Sequence, residues 1–232
     1  MPSVRTNSRR TALKLTAALI LVAFGAAAWW FIWVPNWRPP LRNGETYGID
    51  VSAHQEAVDW DAVAQDEIEF AYVKATEGGD FVDRRFAVNW RDTADAGIER
   101  GAYHFFTLCT PGRLQAEHFL KVAAPDPDAL LPAVDLELAG NCSARPAAED
   151  VYEELQTFLD VVEQAWERPV LLYLGNDFEA MYPVRERLER PLWLRRFLLR
   201  PGESWLIWQL HGYARVDGVS GGVDLNVMRQ SP

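Results

Sequence analysis

Ala133-Val134-Asp135-Leu136-Glu137 alternates side chains with a period of two: Asp135 and Glu137 fall on one side, Val134 and Leu136 on the other. In a strand, residues i and i+2 share a face and lie about 6–7 Å apart. Such a strand packs its apolar face on helices and turns its acids inward, at its C-terminal end. The flanking sequence supplies the helices. Upstream, Gly48–Ser52, Phe70–Thr76 and Gly101–Phe106 read as strands. Between them lie a helix capped by Asp59 and running to Glu67, with Trp60, Val63 and Ala64 on one face, and a helix from Asp83 to Ala96 with Phe86 four residues before Trp90 and Gly97 as its stop. Gly112–Ala123 is a third helix, with Leu114, Phe119 and Leu120 apolar. Downstream, Ala147–Trp166 places Val151, Leu155, Phe158, Leu159 and Val162 at helical spacing. Pro169–Gly175 reads as a strand, and Asn176–Tyr182 as a short helix. The rhythm then changes. Pro191–Phe197, Trp205–Leu210 and Val223–Met228 read as strands without clear helices between them. Strands alternating with helices imply an α/β protein with a parallel sheet. Five β/α units and three bare strands make eight strands, enough to close a TIM-like, modified (β/α)5(β)3 barrel.

The 232 residues are 49% hydrophobic and 24% charged, which is the profile of a folded protein and excludes a disordered chain. The net charge of -10 is unevenly spread. Residues 1–40 hold Arg5, Arg9, Arg10, Lys14 and Arg38 and no acid, which leaves 18 basic against 33 acidic residues in the rest. So acidic a body repels phosphate backbones and argues against nucleic acid as a partner. The two cysteines are too few for an all-cysteine structural zinc site or a disulfide-dense scaffold, and no metal or cofactor is expected.

Leu15–Val34 is a run of twenty residues whose one polar member is Thr16, long enough to cross a bilayer as a helix. The basic residues before it orient its N-terminus towards the cytoplasm, and Trp29, Trp30, Trp33 and Trp37 gather at its far end like an interfacial belt. Residues 8–14 resemble a twin-arginine export signal, with Ala12 where a large apolar residue is favoured. Ala26-Ala27-Ala28 offers a cleavage site, but the apolar run continues six residues beyond Ala28. The expectation is therefore a single-pass anchor and linker over residues 1–40, with a monomeric domain at 45–232 outside the cytoplasm. Secretion after cleavage near Ala28 is the alternative. Pro35, Pro39, Pro40 and Asn43-Gly44 read as an extended linker.

Asp50 ends Gly48-Ile49-Asp50 on the first strand, and Asp224 begins the last. First and last strands are neighbours in a closed barrel, so both acids can join Asp135 and Glu137 at one mouth. Carboxylates crowded together cannot all ionise cheaply. One pKa rises, giving an acid and a base side by side, as glycosidic bond cleavage requires.

GIDVSAHQ followed by DW, AYVKATEG, AGIERGAYHFF, QAEHF, LPAVDLE, WLIWQL and VDGVSGGVDLNVM occur in this order between residues 47 and 229. Together they resemble the glycoside hydrolase family 25 lysozymes, the Chalaropsis type. The resemblance implies a muramidase that cleaves the β-1,4 bond between N-acetylmuramic acid and N-acetylglucosamine in peptidoglycan. It implies active-site acids at Asp50, Asp135, Glu137 and Asp224, with Glu77 of KATEG lining the site. By analogy Glu137 is the general acid. Asp135 steers the substrate's 2-acetamido group onto the anomeric carbon or acts as base, and Asp50 and Asp224 tune these two. Phe197 stands where the family leads one to expect Tyr, and Leu225 and Met228 where aromatics are frequent. The same barrel would also serve a non-catalytic peptidoglycan-binding module or a hydrolase of another N-acetylated glycan.

Tyr72, Tyr103, Tyr173, Trp193, Trp205 and Trp208 lie on strands, where aromatics stack on sugars or fill cores. Trp208 beside Gln209, and Tyr103, are the first choices for sugar contacts. Lys74 faces either the acids or solvent. His104 is expected as a hydrogen-bonded core residue. Cys109 and Cys142 each follow one of two adjacent strands by a few residues and are expected to form a disulfide in an oxidising compartment.

Overall fold

The computed structural model describes residues 4–229, and the chain divides into one unit up to Arg38 and another from Pro39. The ends of the two expected spans, residues 1–3 and 230–232, lie outside the described residues, as do the side chains of Arg5, Arg9 and Arg10.

In the first unit a helix, α1 (Val4–Ala28), runs into a π-helical turn at Trp29–Trp33 and a final turn at Val34–Asn36. Leu13–Asn36 is 24 residues long, and an 18-residue stretch within it has a mean hydropathy of 2.1, long and apolar enough to cross a membrane. At a rise of about 1.5 Å per residue it spans roughly 36 Å. Trp29 stacks on Trp33 at 5.1 Å between ring centroids and Trp33 leans on Trp37 at 5.5 Å, so the indoles make a ladder at i, i+4 spacing.

The second unit is built from strands β1 (Glu45–Val51), β2 (Ile68–Glu77), β3 (Phe81–Val82), β4 (Glu99–Phe105), β5 (Ala133–Leu136), β6 (Leu171–Leu174), β7 (Leu192–Arg195), β8 (Ile207–Ala214) and β9 (Val223–Arg229). Its helices are α2 (Trp60–Gln65), α3 (Phe86–Asp95), α4 (Gly112–Val122), α5 (Ala148–Trp166) and α6 (Asn176–Met181). Strand order β1-β9-β8-β7-β6-β5-β4-β2, with β1 pairing back to β2, closes an eight-stranded barrel; β3 is a two-residue hairpin on the end of β2. Expected strands and helices are present, each shifted by a few residues at its ends. One expectation needs correction: the sheet is mixed, because β9 runs antiparallel to both β8 and β1. A parallel neighbour requires a crossover of a dozen or more residues. Only residues 215–222 join β8 to β9, and Gly218 (φ +88°) and Gly221 (φ +86°) turn the chain back on itself.

Local sequence explains the helices. Asp59 Oδ1 accepts the Ala62 N–H at 3.2 Å and starts α2. Gly97, at φ +75°, follows the end of α3. Asp83 does not begin α3; its carboxylate accepts the N–H groups of Ala53 and Arg85 at 2.8 Å each and ties the loop after β1 to the helix. On α5, Val151, Leu155, Phe158, Leu159, Val162 and Trp166 are buried as their spacing predicts. The barrel floor is filled by Phe70, Tyr72, Ala133, Leu171, Tyr173, Trp193, Ile207 and Met228. Gly48 and Gly101 make room for it: a Cβ on either would lie 2.3 Å from the ring of Phe70 or Tyr72.

Two further ties matter. Cys109 and Cys142 form the expected disulfide, which links the loops after β4 and β5. The linker is less free than its prolines suggest. The Pro39 carbonyl accepts from the Tyr47 hydroxyl and the Pro40 carbonyl from Arg200.

Candidate active site

Strand alternation sets the site. Asp50 (β1), Lys74 (β2), Tyr103 (β4), Asp135 (β5), Tyr173 (β6), Trp193 and Arg195 (β7), Gln209 (β8) and Asp224 (β9) all turn inward and line one cleft of about 420 Å³ with Glu137, which follows β5. Asp224 reaches this mouth because β9 is reversed, so its first residues lie where the parallel strands end. Asp50 and Asp224 face each other directly across the β1–β9 ladder.

Burial controls the charges. It pushes the carboxyls of Asp50 and Asp135 well above the usual aspartate range, with neighbouring carboxylates adding to the effect. Two amides oppose this at Asp50: Asn226 Nδ2 and Gln209 Nε2 donate to Oδ2 at 2.7 and 3.2 Å. Asp135 Oδ1 is buried without a hydrogen-bond partner. Burial also raises Glu137; the Tyr173 hydroxyl, 3.1 Å from Oε1, opposes this when it donates its hydrogen there, and the Arg195 guanidinium at 3.6 Å opposes it throughout. Asp224 is raised to about 6, mainly by burial, with Arg195 opposing and Glu137 adding. Such an array holds protons at neutral pH beside groups that can receive them.

Of the residues expected here, Asp50, Asp135, Glu137, Asp224, Lys74, Tyr103, Tyr173 and Gln209 are brought together. Glu77 stands outside the cleft lining and pairs with Lys74 at 2.6 Å, so it holds the cation that faces the acids. The expectation that Trp208 contacts sugar is corrected. It is 1% exposed, lies away from the cleft and donates its indole N–H to the Arg196 carbonyl at 2.8 Å. Gln209 faces the mouth, and its immediate neighbour on a strand must face the other way. His104 is buried between β4 and the helices. Its Nε2–H donates to Gln115 Oε1 at 3.0 Å and its Nδ1 accepts from Thr76 at 2.7 Å, while burial pulls its pKa down to about 3.

Several contributors escaped the sequence reading. Arg195 and Asn226 each stand two residues beyond an inward-facing side chain, Trp193 and Asp224, so period-two alternation carried the signal. Tyr213 at the rim also lines the cleft. Among the described residues, no group of three or more His, Cys, Asp or Glu side chains is arranged to hold a metal ion.

Known proteins share this fold and sequence. The family model for glycosyl hydrolases family 25 matches residues 49–219. The uncharacterized protein YegX of Escherichia coli K12 is 32% identical over 190 residues, covering 78% of this chain and 68% of that one. Lysozyme M1 of Streptomyces globisporus is 28% identical over 219 residues, covering 81% and 69%. The solved structure of a family 25 glycosyl hydrolase from Bacillus anthracis superimposes with a TM-score of 0.76 at 28% identity, covering 83% of this chain and 93% of that one. A match across most of the barrel, in sequence and in fold, means that the chain belongs to glycosyl hydrolases family 25 and is a glycoside hydrolase of the lysozyme type.

Proposed function

We propose that the protein is a retaining muramidase that cleaves the β-1,4 bond between N-acetylmuramic acid and N-acetylglucosamine in peptidoglycan. The observation that carries this reading is the pairing of Glu137, with its raised pKa, and Asp135, with an unpartnered oxygen, at one mouth. Glu137 gives its proton to the glycosidic oxygen as the bond to the anomeric carbon breaks. The carbonyl oxygen of the substrate's 2-acetamido group closes on that carbon from the opposite face, and Asp135 accepts the acetamido N–H. Water then attacks the anomeric carbon, the ionised Glu137 takes its proton, and the configuration is retained. Asp50 and Asp224 tune the two central acids, and Tyr103 and Tyr213 offer rings to sugar faces.

In this reading residues 1–40 anchor the chain in the membrane and residues 45–232 form a catalytic barrel outside the cytoplasm. The test is digestion of purified peptidoglycan with the full chain. New reducing ends should be N-acetylmuramic acid, first released as the β-anomer. N-acetylglucosamine ends would reassign the bond, and the α-anomer would refute the retaining mechanism.

A further inference from the structure

Beside the acids runs a chain of buried polar groups whose hydrogens can be assigned one by one. Trp193 Nε1–H is a donor only. It lies 2.8 Å from Asn226 Oδ1 and so fixes which way that amide points. Asn226 Nδ2 then faces Asp50 Oδ2 at 2.7 Å, which makes Oδ2 an acceptor whether Asp50 is ionised or carries a proton on its other oxygen. Gln209 meets the same Oδ2 at 3.2 Å and must offer its Nε2–H, which leaves its Oε1 facing the Tyr173 hydroxyl at 2.9 Å. Tyr173 has one hydrogen, and Gln209 Oε1 requires it. The same hydroxyl oxygen is 3.1 Å from Glu137 Oε1. With the tyrosine's hydrogen already committed, that contact is favourable when Glu137 supplies the hydrogen.

We propose that Trp193, Asn226 and Gln209 are positioning residues that fix the direction of the Tyr173 hydroxyl, so that Glu137 is held in its protonated, donating form. The side chains of Trp193, Asn226 and Gln209 are at most 3% exposed, so water does not compete for these bonds. Once Glu137 has given up its proton, rotation of the tyrosine O–H away from Gln209 supplies a donor to the new carboxylate. One hydroxyl thus serves both halves of the reaction. The proposal rests on the acid role assigned to Glu137 and adds to it the groups that set its protonation.

Other charges also face Glu137 and act regardless of the chain: Asp135 on β5, Asp50 on β1, Lys74 on β2, Arg195 on β7, Asp224 on β9 and Asp177 on α6. The experiment therefore isolates the hydroxyl. The full chain, in detergent and carrying 13C-labelled glutamate carboxyls, is titrated by NMR, and the Glu137 signal is identified by its loss in Glu137→Gln. Removing the acceptor with Gln209→Met frees the tyrosine hydrogen to bind the Glu137 carboxylate. A hydrogen bond to a charged group is worth enough to lower the Glu137 pKa by about one unit, a tenfold loss of proton affinity. In a Tyr173→Phe background the same substitution should produce no further drop, whereas an effect transmitted through the charge of Asp50 would persist. Trp193→Phe, which releases the Asn226 amide and keeps an aromatic ring beside Tyr173, should shift Glu137 the same way by less and serves if Gln209→Met does not fold. An unchanged or raised Glu137 pKa in Gln209→Met, or an equal drop with and without Tyr173, overturns the proposal. Undiminished hydrolysis by Glu137→Gln, with the titration as expected, would instead remove the acid role and leave the directed chain standing.

Discussion

Asp224→Asn should stabilise the protein at alkaline pH while impairing it as an enzyme. The carboxyl is buried opposite Asp50, and its pKa is raised from 3.8 to about 6. A carboxyl raised on folding contributes stability below its unfolded pKa, and that contribution is lost as pH rises through the folded value. At pH 8 the aspartate is ionised in both states, and the shift of about two units costs about 3 kcal/mol; at pH 4 the cost is about 0.5 kcal/mol. Asparagine has the same shape and no charge. It also fits the confined space, where even a Cβ on Gly212 would lie 2.9 Å from Asp224 Oδ1. The variant should therefore gain about 2–3 kcal/mol at pH 8, a rise of roughly 5–10 °C in Tm for a domain of this size, and little at pH 4. Melting curves of both proteins in detergent at the two pH values provide the assay. Comparison at equal pH cancels the contribution of His104, which is buried neutral and costs stability in acid. An equal Tm increment at both pH values, or a lower Tm for the variant at pH 8, would refute the reasoning.

Three further outcomes are expected. Glu137→Gln should reduce turnover of peptidoglycan by about 10²–10⁴-fold without lowering Tm, measured as new reducing ends; near-native turnover would exclude Glu137 as the acid. Replacing Cys109 and Cys142 by serine should remove about 3–4 kcal/mol, because the bond closes a loop between residues 33 positions apart, and should lower Tm by about 10 °C; an unchanged Tm would show that the loops are held without it. The full chain should remain with membranes through an alkaline wash, whereas a soluble protein whose N-terminus is Trp29 would establish a cleaved signal.

The element order was legible because each segment carries a local signature: period-two runs for the strands, and a cap, an apolar stripe and a glycine stop for the helices. The reversal of β9 was not: the strands read from sequence leave twelve residues between Leu210 and Val223, enough for a crossover, and only the extension of β8 to Ala214 shortens the connection to eight. Alternating strands and helices suggested a parallel sheet, but that rule applies only where helices lie between strands, and the last three strands have none. The cleft followed the same logic. Asp135 with Glu137 stood out because both members are acidic. Trp193 with Arg195, and Asp224 with Asn226, have the same spacing but mixed chemistry, and so carried no signal by composition. Trp208 and Gln209 are adjacent on β8 and could not both face the mouth. What no local pattern carries is the set of hydrogen-bond partners: Gln209 meets Asp50 across 159 residues and Asn226 meets it across 176, and only barrel closure brings them together.

The acids differ in how far the protein supports their charged forms, and this difference orders their roles. Asp50 receives two amide donors on one oxygen. Glu137 has an arginine nearby, and Asp224 shares it. Asp135 has Lys74 as its favourable charge, but Lys74 is itself paired with Glu77, and Asp135 Oδ1 has no hydrogen-bond partner. A buried carboxylate oxygen left without a donor costs on the order of 1–3 kcal/mol or more unless the group is protonated. In the free protein Asp135 is thus the acid with the least reason to ionise. A substrate amide N–H brought to the other oxygen of the carboxylate supplies a donor that the protein does not, and favours the charge. On the proposed mechanism that charge is needed only once the acetamido group is in place, beside the anomeric carbon it will attack. On that mechanism the shortage of donors around Asp135 links substrate binding to the electrostatic state that the reaction uses, and a barrel that stabilised this carboxylate with its own side chains would lose the link.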